Sequence, residues 1–194
     1  MKKTILVSLL TLLILGCGKK LSILDGFGDN HYKLVNQNNE AVVFPDLAKG
    51  EIVVMNYIFT NCPDICPLST NNMRLIQERL IKEKIDNVRF VSISFDPLND
   101  TPEVLTKFAE VRSLDLNNWD FLTGDKKVID ALIKQAGVIA VPGDSTILKN
   151  GKKIYYYVHT DRISLVDEEL KIRKNYIGSK INIEEIIDDI KSLK

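Results

Sequence analysis

The sequence is poor in the residues that do most chemistry: among 194 positions there are two histidines and three cysteines. Three cysteines are too few for a small scaffold stapled by disulfides. An excess of charge of one sign is also missing, since 26 Lys and Arg stand against 26 Asp and Glu. No Lys/Arg block is long enough to build a clustered basic surface, so no nucleic-acid partner is expected. The apolar run from Thr4 to Leu15 is about a dozen residues, short of the roughly 20 that a membrane-spanning helix needs. What remains is ordinary for a globular protein. With 45% hydrophobic and 27% charged residues, disorder, collagen and low complexity are excluded, and the length suits one domain with a tail. The functional information therefore sits in a handful of cysteines and histidines.

The first cysteine reads as an address. Lys2 and Lys3 precede the apolar run, which ends in Gly16-Cys17, the pattern of a basic n-region and h-region of a signal peptide. The ending Ile14-Leu15-Gly16-Cys17 resembles a bacterial lipobox, at which signal peptidase II cuts before the cysteine and its sulfur is lipidated. That implies a signal peptide over 1–16, lipidation at Cys17, and a protein of the cell envelope, held to a membrane on its extracytoplasmic (periplasmic) side. Gly18 in place of Asp favours the outer membrane where two membranes exist. Losing Lys2 and Lys3 with the signal leaves two more acidic than basic residues. Residues 18–30 hold three Gly and little periodicity, and read as a linker, so 17–30 is expected to be a lipidated linker and 31–194 the domain.

Within that domain, 32–44 is two short β runs around an Asn-rich turn, a hairpin signal. Ile52–Phe59 and Val88–Phe95 are almost wholly apolar, as strands buried on both faces are. Near-helical spacing of Leu68, Met73, Leu75, Ile76, Leu80 and Ile81 predicts a helix to about Lys84, with Pro67 tolerated near its first turn. Thr101-Pro102 starts a second helix with Thr101 as cap, and Asp125–Ala136 forms a third, closed by Gly137. Trp119–Leu122 is a short strand, and 137–153 is loop or hairpin. Strands follow at Ile154–Val158, Arg162–Val166 and Arg173–Ile177, then a helix from about Ile183 to Leu193. The order predicts an α/β sandwich whose mixed central sheet is flanked by helices.

With Cys17 assigned, Cys62 and Cys66 remain, four residues apart where a buried strand meets a helix. Amides and the dipole at a helix N-terminus stabilise thiolate, which is both the nucleophile and the soft-metal ligand. If Cys62 lies in the loop before the first turn, both sulfurs approach one point. In an oxidising compartment such a pair forms a disulfide unless metal or reductant prevents it, yet a disulfide closing so small a loop stabilises little. A structural zinc site wants four ligands, and two Cys with one His fall one short. Copper suits two thiolates and one imidazole better. His31, beside the linker, is expected to be exposed and idle. His159 lies at a strand end, where α/β sheets build sites, and the residues alone leave it open between ligand and plain surface histidine.

The run Phe59-Thr-Asn-Cys62-Pro-Asp-Ile-Cys66-Pro67 with Met73, then Val91-Ser-Ile-Ser-Phe-Asp96-Pro97, Asp100-Thr101-Pro102, Trp119 to Gly124 and His159-Thr160, resembles the SCO/SenC family of copper-binding cytochrome oxidase assembly proteins over roughly 30–190. The resemblance implies a thioredoxin-like fold, a copper site of Cys62, Cys66 and His159, and Cys62 and Cys66 as a redox-active pair with a disulfide form. It also implies a role in assembling the CuA site, with cytochrome c oxidase subunit II or another copper or thiol protein of the cell envelope as partner, copper passing by stepwise thiolate exchange. Members often carry Asp before the histidine, where this chain has Val158; Asp64 and Asp96 are the acidic groups available to replace it. The competing reading is a general extracytoplasmic thiol–disulfide oxidoreductase. Such enzymes normally use CxxC facing a cis-proline, and here His159-Thr160 occupies that place. A thiol peroxidase ranks last, since Thr60 stands two residues before Cys62, not three.

Overall fold

The computed structural model describes residues 21–149, 151 and 153–194. In chain order its elements are β1 (Asp25–Gly26), β2 (Tyr32–Asn36), β3 (Ala41–Phe44), a 3-10 turn at Asp46–Ala48, β4 (Ile52–Ile58), α1 (Ile65–Lys82), β5 (Val88–Ser94) and α2 (Pro102–Glu110). There follow β6 (Trp119–Thr123), α3 (Lys126–Gln135), β7 (Ala140–Ile147), β8 (Lys153–His159), β9 (Ile163–Val166), β10 (Lys171–Tyr176) and α4 (Ile183–Ser192). The signal peptide and the lipidation expected at Cys17 lie outside the described residues.

The two apolar runs form the centre. Every residue of β4 is buried, and it pairs in parallel with β5 from Ile52↔Val88 to Ile58↔Ser94. Parallel neighbours need a crossover, which α1 provides; α2 does the same between β5 and β6. Antiparallel β9 closes the other side of β4, giving an eight-stranded mixed sheet of order β1-β10-β9-β4-β5-β6-β2-β3. Helices α1 and α4 pack together, α2 lies against β6 and α3 against β2. Buried Phe90, Phe121, Trp119, Met73, Ile76, Ile186 and Ile190 fill the core, each contributing roughly 1.5–3 kcal/mol of transfer free energy. This is the mixed sheet with flanking helices that the alternation predicted, in a thioredoxin-like arrangement.

Helix ends follow the cap chemistry: Thr101 accepts from the Val104 amide, Asp125 from Lys127 and Val128, and Asn182 from Glu185. Two sequence expectations change. Helix α1 begins at Ile65, three residues before the first apolar-periodic position, so Cys66 and Pro67 sit inside its first turn. The linker expected over 18–30 does not hold for its later part: β1 pairs with β10, and Phe27 is fully buried, edge to face with Phe44 at 4.9 Å. A two-residue strand and a lone aromatic carry no periodicity, so only the docked sheet edge shows them. The 137–153 stretch takes its hairpin alternative, β7 with β8, which pair only with each other among the described residues.

Candidate metal centre

Cys62 lies in the loop after β4, and Cys66 one turn further on, in the first turn of α1. The Cys66 amide donates to Cys62 Sγ at 3.5 Å, a free first-turn N–H finding its acceptor in sulfur. Two sets of hydrogen bonds fix these cysteines. Asp100, fully buried, accepts from the Thr60 amide at 3.1 Å, from Thr60 Oγ1 at 2.5 Å and from Ser94 Oγ at 2.5 Å, holding the loop two residues before Cys62. A buried polar thread holds Cys66: Trp119 Nε1 donates to Ser92 Oγ, Ser92 to Asn56 Oδ1 at 2.7 Å, Asn56 to Ser69 Oγ, and Ser69 to the Cys66 carbonyl at 3.2 Å.

His159 arrives from β8. On a strand, alternate residues share a face, so Tyr155, Tyr157 and His159 point inward while Ile154, Tyr156 and Val158 are exposed. The imidazole packs against Phe95 with ring centroids 5.1 Å apart and edge-on to Phe59 at 5.9 Å. Its Nε2 lies 4.0 Å from Cys62 Sγ and 3.9 Å from Cys66 Sγ, and the three donor atoms fall within 4.8 Å of one another. Nδ1 is 3.2 Å from the Thr160 carbonyl. A carbonyl only accepts, so Nδ1 carries a hydrogen and Nε2 is the ring nitrogen turned to the sulfurs; its proton pairs with the Cys62 thiolate in the metal-free chain, and on losing that proton Nε2 offers its lone pair to a metal ion. The chain therefore brings together the three residues that the sequence singled out.

The donor set fits a soft metal ion. Bonds of about 2.3 Å to sulfur and 2.0 Å to nitrogen at a trigonal angle span about 3.7 Å, close to the two S···N separations present. Neither cysteine is in a disulfide. The Cys66 thiol hydrogen-bonded to Cys62 holds the Cys62 thiol well below the ordinary range against the opposing effect of burial, with His159 and the Cys66 and Asp64 amides adding to it. The same hydrogen bond, then burial and the Cys62 charge, push Cys66 upward, so the pair is one thiolate and one thiol. Burial alone lowers His159, but the Cys62 hydrogen bond, the Thr160 carbonyl and the Cys62 and Asp161 charges outweigh it and the net shift is upward. A cleft of about 320 Å³, lined by Phe59, Cys62, Pro63, Tyr157 and Val158 among others, opens over the site.

The acidic residues named as replacements for the family's Asp divide. Asp64 is exposed at the start of α1, on the cleft wall. Asp96 is buried and accepts from Tyr155, Tyr157 and Asn99. Val158 is 63% exposed and lines the cleft beside His159. His31 is remote from the cysteines, though not idle: its Nδ1 pairs with Asp46 at 2.8 Å on the surface. Sequence reasoning missed Tyr155, Tyr157 and Phe59 as site-builders; the period of two counted back from His159 is the signal that finds the tyrosines.

A model of the SCO1/SenC family matches residues 26–194. The SCO1 protein homolog of Bacillus subtilis is 37% identical over 158 residues, covering 81% of this chain and 78% of the relative. Among solved structures, BsSco, a member of the Sco family of cytochrome c oxidase assembly proteins in which a disulfide switch was identified, is 31% identical with a TM-score of 0.71 over 90% of this chain and 98% of that one. ScoI of Bradyrhizobium japonicum with copper bound is 28% identical, TM-score 0.70, covering 88% and 99% of the two chains. Matched along its described length in sequence and in fold, the chain belongs to the SCO1/SenC family.

Proposed function

We propose that this protein binds copper through Cys62, Cys66 and His159 and serves the assembly of cytochrome c oxidase. The observation that carries the reading is the convergence of two sulfurs and one imidazole nitrogen within 4.8 Å, with Nδ1 held on the Thr160 carbonyl so that Nε2 faces the sulfurs. Thiolates favour Cu(I), and the mixed sulfur and nitrogen set accepts Cu(II). Solved relatives with copper bound support the same choice of metal. We infer further that the destination is the CuA centre of oxidase subunit II or another copper or thiol protein of the cell envelope, and that Cys17 lipidation tethers the chain to a membrane on the extracytoplasmic side. The support for the tether is the 1–17 sequence pattern.

The test is a titration of the reduced full chain with Cu(I) and Cu(II), beside Cys62→Ser, Cys66→Ser and His159→Ala. One equivalent of copper bound by wild type, and weakened in all three variants, is the expected result. Wild type binding no better than His159→Ala refutes the site. A thiolate beside a protonated partner thiol also favours a second reading, thiol–disulfide exchange. Rapid turnover of unrelated disulfides in the absence of copper would promote it.

A further inference from the structure

Because β7 and β8 pair only with each other among the described residues, His159 itself stands in no ladder with the main sheet; the nearest one begins four residues on, where Ile163 of β9 pairs with Asn56 of β4. The backbone tie nearest the histidine, Thr160 N–H to the Ile139 carbonyl at 2.9 Å, stays within the same hairpin and its flanks. The cross-link to the cysteine side is a buried carboxylate. Asp96, 2% exposed at the end of β5, accepts from Tyr155 Oη at 2.5 Å and from Tyr157 Oη at 3.2 Å, and Asn99 Nδ2 donates to both its oxygens at 3.0 Å. Four residues on, Asp100 holds the Thr60 loop. The Asp100 amide bonds back to the Asp96 carbonyl at 2.9 Å, which makes 96–100 one tight turn. A single turn thus grips the cysteine loop with one carboxylate and the histidine strand with the other.

We propose that Asp96 is a positioning residue for the metal centre: through the hydroxyls of Tyr155 and Tyr157 it locks β8 in place and so holds the His159 imidazole within reach of Cys62 and Cys66. This rests on the copper reading for its purpose, and on geometry alone for its existence. Ring packing of Tyr157 on Phe59 at 5.1 Å and on Phe95 at 5.2 Å gives β8 an apolar seat with no directional bond of its own. Two hydroxyls converging on one buried carboxylate supply the directional bonds that set its register over the site. The position before the histidine, Val158, is an exposed apolar residue on the cleft wall, so the polar support for the histidine strand comes from Asp96 beneath it.

The test uses the full chain as wild type, Asp96→Asn, and a double variant, Tyr155→Phe with Tyr157→Phe, that keeps both rings. Tyr176→Phe is the control: its hydroxyl donates to Asp189 at 2.9 Å between β10 and α4, a tyrosine–carboxylate bond of the same kind away from the site. Three quantities are read: NOEs between the His159 and Phe95 rings in the metal-free reduced chain, nitrogen coupling in the EPR spectrum of the Cu(II)-loaded chain, and Cu(II) affinity by competition. Asp96→Asn and the double variant are expected to lose the ring NOEs, weaken the nitrogen coupling and bind Cu(II) about 10-fold more weakly, the usual size for an outer-ligand change. Tyr176→Phe is expected to lower the melting temperature and leave all three unchanged. Folded variants that keep the NOEs and the nitrogen coupling overturn the proposal. If Asp96→Asn fails to fold, the double variant decides. If wild type takes up no copper, the proposed function fails, while the NOE comparison in the metal-free chain still decides whether Asp96 positions His159.

Discussion

Removing the Asp100 carboxylate should loosen the Cys62 loop at a measurable cost in stability. Asp100→Ala strands three donors: the Ser94 hydroxyl, fully buried, and the amide and hydroxyl of half-buried Thr60. A buried donor left unmade costs about 1–3 kcal/mol. Water reaches Thr60 and repairs part of the loss there, and relief of the desolvated charge offsets some of the rest. The net expectation is about 3 kcal/mol, which for a chain of this size lowers the melting temperature by about 6–12 °C. Asp100→Asn keeps the shape and one acceptor, and should cost about half as much. The comparison has a pH signature. Burial, the largest influence, raises the Asp100 pKa above its unfolded value despite the bonds from Ser94 and Thr60. A raised folded pKa means the group favours the native state most at acid pH, and that contribution is lost as pH rises through the folded value. The gap between wild type and Asp100→Asn should therefore widen as pH falls from about 7 towards about 4, the unfolded carboxyl range. Urea unfolding followed through Trp119, the single tryptophan and 1% exposed, measures both effects. Asp100→Ala within about 0.5 kcal/mol of wild type, or a gap that narrows in acid, refutes the reasoning.

Two further outcomes follow from other parts of the molecule. Phe27→Ala should destabilise by about 3–5 kcal/mol in the same urea assay, because the ring is wholly buried against Phe44; a change below about 1 kcal/mol would return this segment to the status of linker. Alkylation of Cys62 by iodoacetamide, followed by mass spectrometry, should be nearly independent of pH between about 6 and 8, where an ordinary thiol gains about tenfold per unit, and Cys66 should react far more slowly. A Cys62 rate that climbs steeply over that range contradicts a preformed thiolate.

Much of the architecture was legible because it is written in local pattern. Unbroken apolar runs at Ile52–Ile58 and Val88–Ser94 mark buried parallel strands, and Thr101, Asp125 and Gly137 mark helix ends. The dithiol was legible from the strand-to-helix junction and the i, i+4 spacing, which by themselves argue for two sulfurs near one point. The start of α1 was misplaced because its first turn, Ile65-Cys66-Pro67-Leu68, has no periodic apolar face of its own.

The sequence by itself determined which residues are reactive and which segments are strand or helix, since side-chain chemistry and hydrophobic period act over a few neighbours. Only the tertiary structure decided that His159, 97 positions from Cys62, reaches the sulfurs and that His31 does not. It also decided that Asp96 and Asp100 serve as anchors in the turn behind the site, and that Phe27 belongs to the core. These are long-range pairings, fixed by the order of strands in the sheet and by the docking of a separate hairpin, and no local pattern encodes either.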